Sequence, residues 1–110
     1  MLPAINRLKK RKDFENVFKN GQNTKAPFLV LKTSKNKLTV NRFGFVVSQK
    51  VSKNAVVRNK VRRRLGNITS HLEGLKKGSD FVFIALPGIQ KKEFLEIKNI
   101  VLALIKKLAE

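Results

Sequence analysis

Apolar side chains recur along this chain at two different spacings, and the change from one to the other marks its elements. Phe14, Val17 and Phe18 stand at helical spacing, with Asp13 placed to cap the helix and Gly21 to stop it. Pro27 then opens Phe28-Leu29-Val30-Leu31, an apolar run of strand length. Lys35-Asn36-Lys37 reads as a turn. Leu38 to Ser48 reads as a second strand, in which Val40, Arg42, Gly44 and Val46 alternate with the other positions. The clearest helix runs from Asn54 to about His71, where Val57, Val61, Leu65, Ile68 and Leu72 form one apolar stripe. Asp80 to Leu86 is almost wholly apolar, the pattern of a strand buried on both faces, and Pro87-Gly88 ends it. A last helix spans Lys91 to Leu108 with Phe94, Ile97, Val101, Leu104 and Leu108 turned inward. Residues 1–12 read as an irregular basic lead-in.

The order helix, strand, strand, helix, strand, helix predicts an α+β fold, an α/β sandwich with helices packed on one mixed sheet. With 110 residues and no repeat, linker or low-complexity stretch, one domain over 1–110 is expected.

Charge changes this picture more than any other property. The chain carries 25 Lys+Arg against 7 Asp+Glu, a formal net charge of +18. Self-repulsion on that scale opposes compaction and points to a polyanionic partner. Nucleic acid is the leading candidate, because each neutralised phosphate releases condensed counterions. The charge is also lopsided: residues 1–65 carry a net +16 and residues 66–110 only +2. The binding surface is therefore expected in the first two-thirds.

The helix from Asn54 concentrates that charge. With its apolar stripe facing the core and about 100° of rotation per residue, Asn59 and Arg63 fall opposite the core. Lys60 and Arg62 flank them, while Arg58 and Arg64 lie nearer the boundary, where their stems cover apolar surface. Like charges at i,i+4, such as Arg58/Arg62 and Lys60/Arg64, repel, so helix stability did not select the pattern. Arginine forks suit phosphate oxygens, and Asn59 can bond a base edge, a sugar hydroxyl or a hydrated metal. A solvated surface would normally mix both signs, and this ridge contains no acid.

Other chemistry is poorly supplied. There is no Cys, which excludes disulfides, thiolate zinc sites and cysteine nucleophiles. His71 is the single histidine, the acids are scattered, and no glycine-rich phosphate loop occurs, so a stand-alone nuclease is not expected. No apolar run nears the roughly 20 residues that span a bilayer, and the basic lead-in reverses the order of a secretory signal. A soluble cytoplasmic protein without a membrane role is the expectation.

These residues also carry a family resemblance. Val46-Val47-Ser48-Gln49-Lys50-Val51, followed by Asn54-Ala55-Val56-Val57-Arg58-Asn59-Lys60-Val61-Arg62-Arg63, resembles the signature of the bacterial ribonuclease P protein component. Arg7-Leu8-Lys9-Lys10, Asp13-Phe14 and Val17-Phe18-Lys19-Asn20-Gly21 are similar to that family's opening helix. Asp80-Phe81-Val82-Phe83-Ile84-Ala85 is similar to its third main strand. The likeness runs in order over nearly the whole chain.

The resemblance implies a left-handed βαβ crossover, against the usual right-handed rule. It implies an accessory subunit of an endoribonuclease that removes the 5′ leader of precursor tRNA, with the catalytic centre in an RNA subunit. Mg2+ would act through that RNA, with none bound tightly by the protein alone. The partners implied are ribonuclease P RNA and precursor tRNA, with the protein a monomer in a 1:1 ribonucleoprotein. By position, Lys50, Lys53, Asn54, Arg58, Asn59, Lys60, Arg62 and Arg63 would contact RNA. Phe14, Phe18, Lys10 and Arg11 would line the leader cleft. Lys60 stands where the family usually has arginine. Leu31 stands where relatives can carry tyrosine, so weaker stacking in the cleft is expected. Composition alone fits a structural RNA-binding protein or RNA chaperone of the ribosomal-protein type equally well. The ordered pairing of the phenylalanine helix with the Asn54–Lys60 segment favours the processing subunit.

Overall fold

The most apolar segment becomes the strand buried on both sides, as its composition requires. In the computed structural model, which describes residues 2–109, β4 (Ser79–Ala85) lies between two neighbours. It pairs antiparallel with β2 (Leu29–Lys35) and parallel with β3 (Arg42–Val46). β1 (Gln22–Ala26) adds to the outer edge of β2, giving the order β1-β2-β4-β3. Three helices complete the fold: α1 (Arg11–Asn20), α2 (Ala55–Ser70) and α3 (Phe94–Ala109). The parallel pair β3/β4 is joined through α2, which is the βαβ unit of the chain.

Strand alternation divides the helices between the two sheet faces. Phe43, Phe81 and Phe83 face α2 and α3, packing with Val61, Leu65, Ile97, Val101 and Leu104. Phe43 stacks on Phe81 at 5.0 Å, and Phe45 on Phe83 at 6.0 Å. Val82 faces the other way and packs with Val17 of α1 and with Leu8. α1 rests directly on the sheet there: a Cβ at Gly44 would lie 2.5 Å from the Phe14 ring, so only glycine admits this approach.

A buried ion network fastens α1 in that place. Asp80 is 2% exposed and accepts two bonds from Arg42, each 2.8 Å long. Arg42 also reaches Asp13 of α1 at 3.1 Å, and the Asn36 amide donates to Asp80 at 2.9 Å. The hydrogen bond to Asp80, more than its loss of solvent counts against it, raises the Arg42 pKa above the ordinary arginine value.

Several expectations are corrected. Asp13 is not the cap of α1; Lys10 holds that position without a side-chain bond, and Asp13 is spent on Arg42. The sequence pattern predicts no strand at β1, because Gln22-Asn23-Thr24-Lys25-Ala26 is a polar edge strand without an apolar run. Phe28 belongs to the turn between β1 and β2, with φ +69°, its ring held against Gly88. The second strand starts at Arg42, not Leu38. Before it, the Asn36 side chain spans the loop by accepting from Leu38 N (2.8 Å) and donating to Val40 O (3.1 Å). The lead-in is ordered: Ala4–Asn6 form a 3-10 turn, Leu2 and Leu8 are buried, and Leu8 N donates to Phe43 O. α3 begins at Phe94 after a 3-10 turn over Ile89–Lys91, and Phe94 itself stays 40% exposed beyond the core.

Asn54 caps α2 through its Oδ1, which accepts from Val56 N at 2.9 Å. Replacing Asn54 with alanine is expected to cost about 1 kcal/mol, measurable by urea unfolding.

Candidate nucleic-acid interface

The loop Val47–Asn54 leads from β3 into α2, and it is built to be held while its charges stay free. Val47 and Val51 are buried, Ser48 O accepts from Val51 N, and Lys50 and Lys53 point to solvent. Arg58 reaches back over this loop, and its Nη1 donates to the carbonyls of Ser52 (3.0 Å) and Lys53 (2.9 Å). Arg64 anchors the other end of the ridge by donating to Lys92 O at 2.9 Å. The boundary placement of these two arginines follows from the helical wheel. Their fixed partners do not, because those carbonyls come from loops.

Asn59, Lys60 and Arg63 are exposed on the outward side of α2, with Arg62 half-buried beside them. Arg62 donates to Asn59 Oδ1, so the amide orients the guanidinium one turn on. Among the described residues none of Lys50, Lys53, Lys60, Arg62 or Arg63 lies in an ion pair with an acid. The ridge is therefore uncompensated charge on a rigid element, the arrangement that suits a phosphate backbone. Asn54 differs from the other residues carried over by position, because its side chain is occupied by the helix cap.

A second surface lies on the α1 face of the sheet. Strand register places Lys25, Val30, Ile84 and Val46 in one row across all four strands. Val30, Ile84 and Val46 are only half-buried, with Ile84 and Val46 at the margin of the cluster that Val17 of α1 forms with Val82. Phe14 packs on the same cluster as Ile84 and Val46 of this open floor, and with Phe18, whose ring is 6.4 Å away, it forms an aromatic wall on α1. Phe18 is 42% exposed, and Lys32 Nζ stands 5.9 Å from its ring centre. Phe14 is half-buried on Gly44 and belongs more to the core.

The structure brings Phe14 and Phe18 together, and Arg11 stands at i, i+3 and i+7 with them on one side of α1. Lys10 lines a different hollow, with Asp13 and Arg42, and Arg11 is exposed in a 3.0 Å pair with Glu15. Leu31 does not reach the open floor: it is fully buried towards α2 and α3, so a leucine there leaves the floor unchanged. The floor residues Val30, Ile84 and Val46 and the flanking Lys25 and Lys32 were missed from the sequence. β2 reads as a continuous apolar run, and its two-residue period emerges only where Lys32 interrupts it.

Comparison with known proteins bears on this pairing of ridge and open floor. The Ribonuclease P family model matches residues 2–109. The chain belongs to the ribonuclease P protein family. It is 38% identical over 108 residues to the ribonuclease P protein component of Alkaliphilus metalliredigens, covering 97% of this chain and 96% of that one. Its fold is similar to the Staphylococcus aureus RNase P protein, with TM-score 0.86, 29% identity and 94% of each chain covered. It is also similar to the RNase P protein from Thermotoga maritima, with TM-score 0.82 and 30% identity over 92% of this chain and 96% of that chain. The single α+β domain with a four-stranded mixed sheet is thus the fold of the ribonuclease P proteins. Membership makes the chain a protein subunit of ribonuclease P, with ribonuclease P RNA as its partner.

Proposed function

We propose that the chain holds ribonuclease P RNA along the α2 ridge and the 5′ leader of precursor tRNA on the open sheet floor beside Phe18. It would thereby assist endonucleolytic removal of the leader while the chemistry stays with the RNA. The observation that carries this reading is the adjacency of the two surfaces. β3 contributes Val46 to the floor, and the chain passes at once through the basic loop into the ridge. A single strand laid on the floor finds half-buried aliphatic side chains, one exposed aromatic ring and flanking lysines, which suits stacking bases and tracking phosphates.

Mg2+ is assigned to the RNA subunit in this reading. The protein's part is to bind and orient, as a monomer in a 1:1 complex in the cytoplasm.

The test is cleavage of a precursor tRNA by a bacterial ribonuclease P RNA at low magnesium, with and without the full chain. Cleavage at the mature 5′ end that depends on the protein and weakens when the leader is shortened is the expected result. RNA binding with no gain in cleavage overturns the reading. Phe18→Ala is expected to weaken leader affinity by about 1–3 kcal/mol with little change in unfolding midpoint. Phe14→Ala should lower both, because its ring is packed against Gly44. Measuring leader affinity and urea unfolding on the same samples separates the two residues.

A further inference from the structure

Away from the open floor and the α2 ridge, a hollow of about 380 Å³ lies between the lead-in segment and the β2–β3 loop. Its lips are Ile5 and Leu38, which are 64% and 47% exposed and come from segments far apart in sequence. Single exposed aliphatic residues are ordinary, but two that face one hollow form an apolar clamp. Arg7, Lys9 and Lys10 line the same hollow and are exposed; Arg7 Nε donates to Leu2 O at 2.8 Å, and none of the three has a carboxylate within ion-pair distance among the described residues. The wall's one acid, Asp13, is already bound by Arg42.

Both lips are held in place by the fold. Asn6 Nδ2 donates to Asn41 O at 2.8 Å, and Leu8 N donates to Phe43 O at 2.9 Å, tying the lead-in to the start of β3. Opposite, Asn36 pins Leu38 and Val40 while bonded to buried Asp80. A clamp fastened before the ligand arrives loses little entropy on binding.

We infer that this hollow is a nucleotide subsite: a base inserts between Ile5 and Leu38, and its phosphate is met by Arg7, Lys9 and Lys10. The volume is within the range of small-molecule sites, and the lining matches the two halves of a nucleotide, an apolar clamp for the flat base and cations without a carboxylate partner for the phosphate, Arg7 being oriented by its bond to Leu2 O. The inference rests on RNA being the partner of this chain. The nucleotide can belong to ribonuclease P RNA or to precursor tRNA, since both offer the same chemistry. Lys10 then serves this subsite and not the Phe18 floor.

Titration of the full chain with adenosine monophosphate, followed by NMR, tests the subsite, with inorganic phosphate at equal ionic strength as the comparison. The Ile5 and Leu38 methyl signals are expected to move saturably with the nucleotide. The Ile5→Ala/Leu38→Ala double variant should bind it about tenfold more weakly. Both residues are exposed, so the variant should unfold at the wild-type midpoint. An equal response to inorganic phosphate, or unchanged nucleotide affinity in the variant, overturns the subsite. The chain has no cysteine, so Leu38→Cys gives a unique attachment point for a photo-crosslinker in the assembled complex. Label on one RNA or the other assigns the source, and label on neither overturns the inference. Nucleotide binding here in a chain that gives no gain in precursor cleavage would overturn the leader reading alone.

Discussion

Asp80→Ala is expected to destabilise the domain by about 3 kcal/mol, the largest single loss of any substitution outside the apolar core. The carboxylate is buried, and both its oxygens accept from Arg42. Removing it leaves a partly buried guanidinium with only Asp13, itself partly buried, and leaves the Asn36 amide without that acceptor. Asp13→Ala should cost less, about 1 kcal/mol, because that pair is more open to solvent and leaves Asp80 in place. Urea unfolding in constant salt checks both. The raised pKa of Arg42 gives its charged form a stabilising role that is complete below the ordinary arginine value and is lost only as pH climbs through the raised one. The Arg42 side of this network should therefore contribute evenly across the neutral range. Equal unfolding midpoints for Asp80→Ala and wild type would mean the network adds nothing to the fold. The functional consequence follows from position: Arg42 joins α1 to the sheet, so Asp80→Ala should also loosen the Phe14–Phe18 wall and reduce leader affinity.

That network marks where sequence reading stopped. Local pattern places Asp80 correctly at the head of a strand but reads Asp13 as a helix cap, a position that Lys10 holds. What joins them is Arg42, which is 29 residues from Asp13 and 38 from Asp80. Local pattern holds no record of such pairs. Segments with strong periodicity were read well, and α2 with its inward Val61, Leu65 and Ile68 is the clearest case. β4 followed from the density of its apolar residues. β1 failed because an edge strand is held by its backbone bonds to β2, to which its polar side chains give no clue.

The ridge was legible for a different reason: a helix converts spacing directly into direction, so the outward residues could be named from the wheel. The floor was not, since it needs the register of four strands and the place of α1 on the sheet. The resemblance places Lys10 and Arg11 in the leader cleft with Phe14 and Phe18. Lys10, at the cap of α1, lines a hollow with Asp13 and Arg42, whereas Arg11 follows on the side of the helix that carries the two rings.

The ridge itself carries the second large effect. Lys60→Ala, Arg62→Ala and Arg63→Ala combined are expected to weaken binding to ribonuclease P RNA roughly a hundredfold, as three charge-assisted contacts are lost. The salt dependence should flatten by about two to three units in the slope of log affinity against log salt, near one unit per lost phosphate contact. Stability should hardly change, because among the described residues none of the three makes a side-chain hydrogen bond or ion pair beyond the Arg62–Asn59 contact within α2. Arg58→Ala provides the contrast. Its Nη1 is committed to Ser52 and Lys53 carbonyls, so its loss should release the basic loop and lower stability as well as affinity. Affinity measured across a salt series, with unfolding on the same proteins, distinguishes these outcomes. A triple variant that keeps the wild-type salt slope would remove α2 as the RNA surface. A triple variant that loses affinity and stability together would show that the three side chains hold the helix and not the RNA.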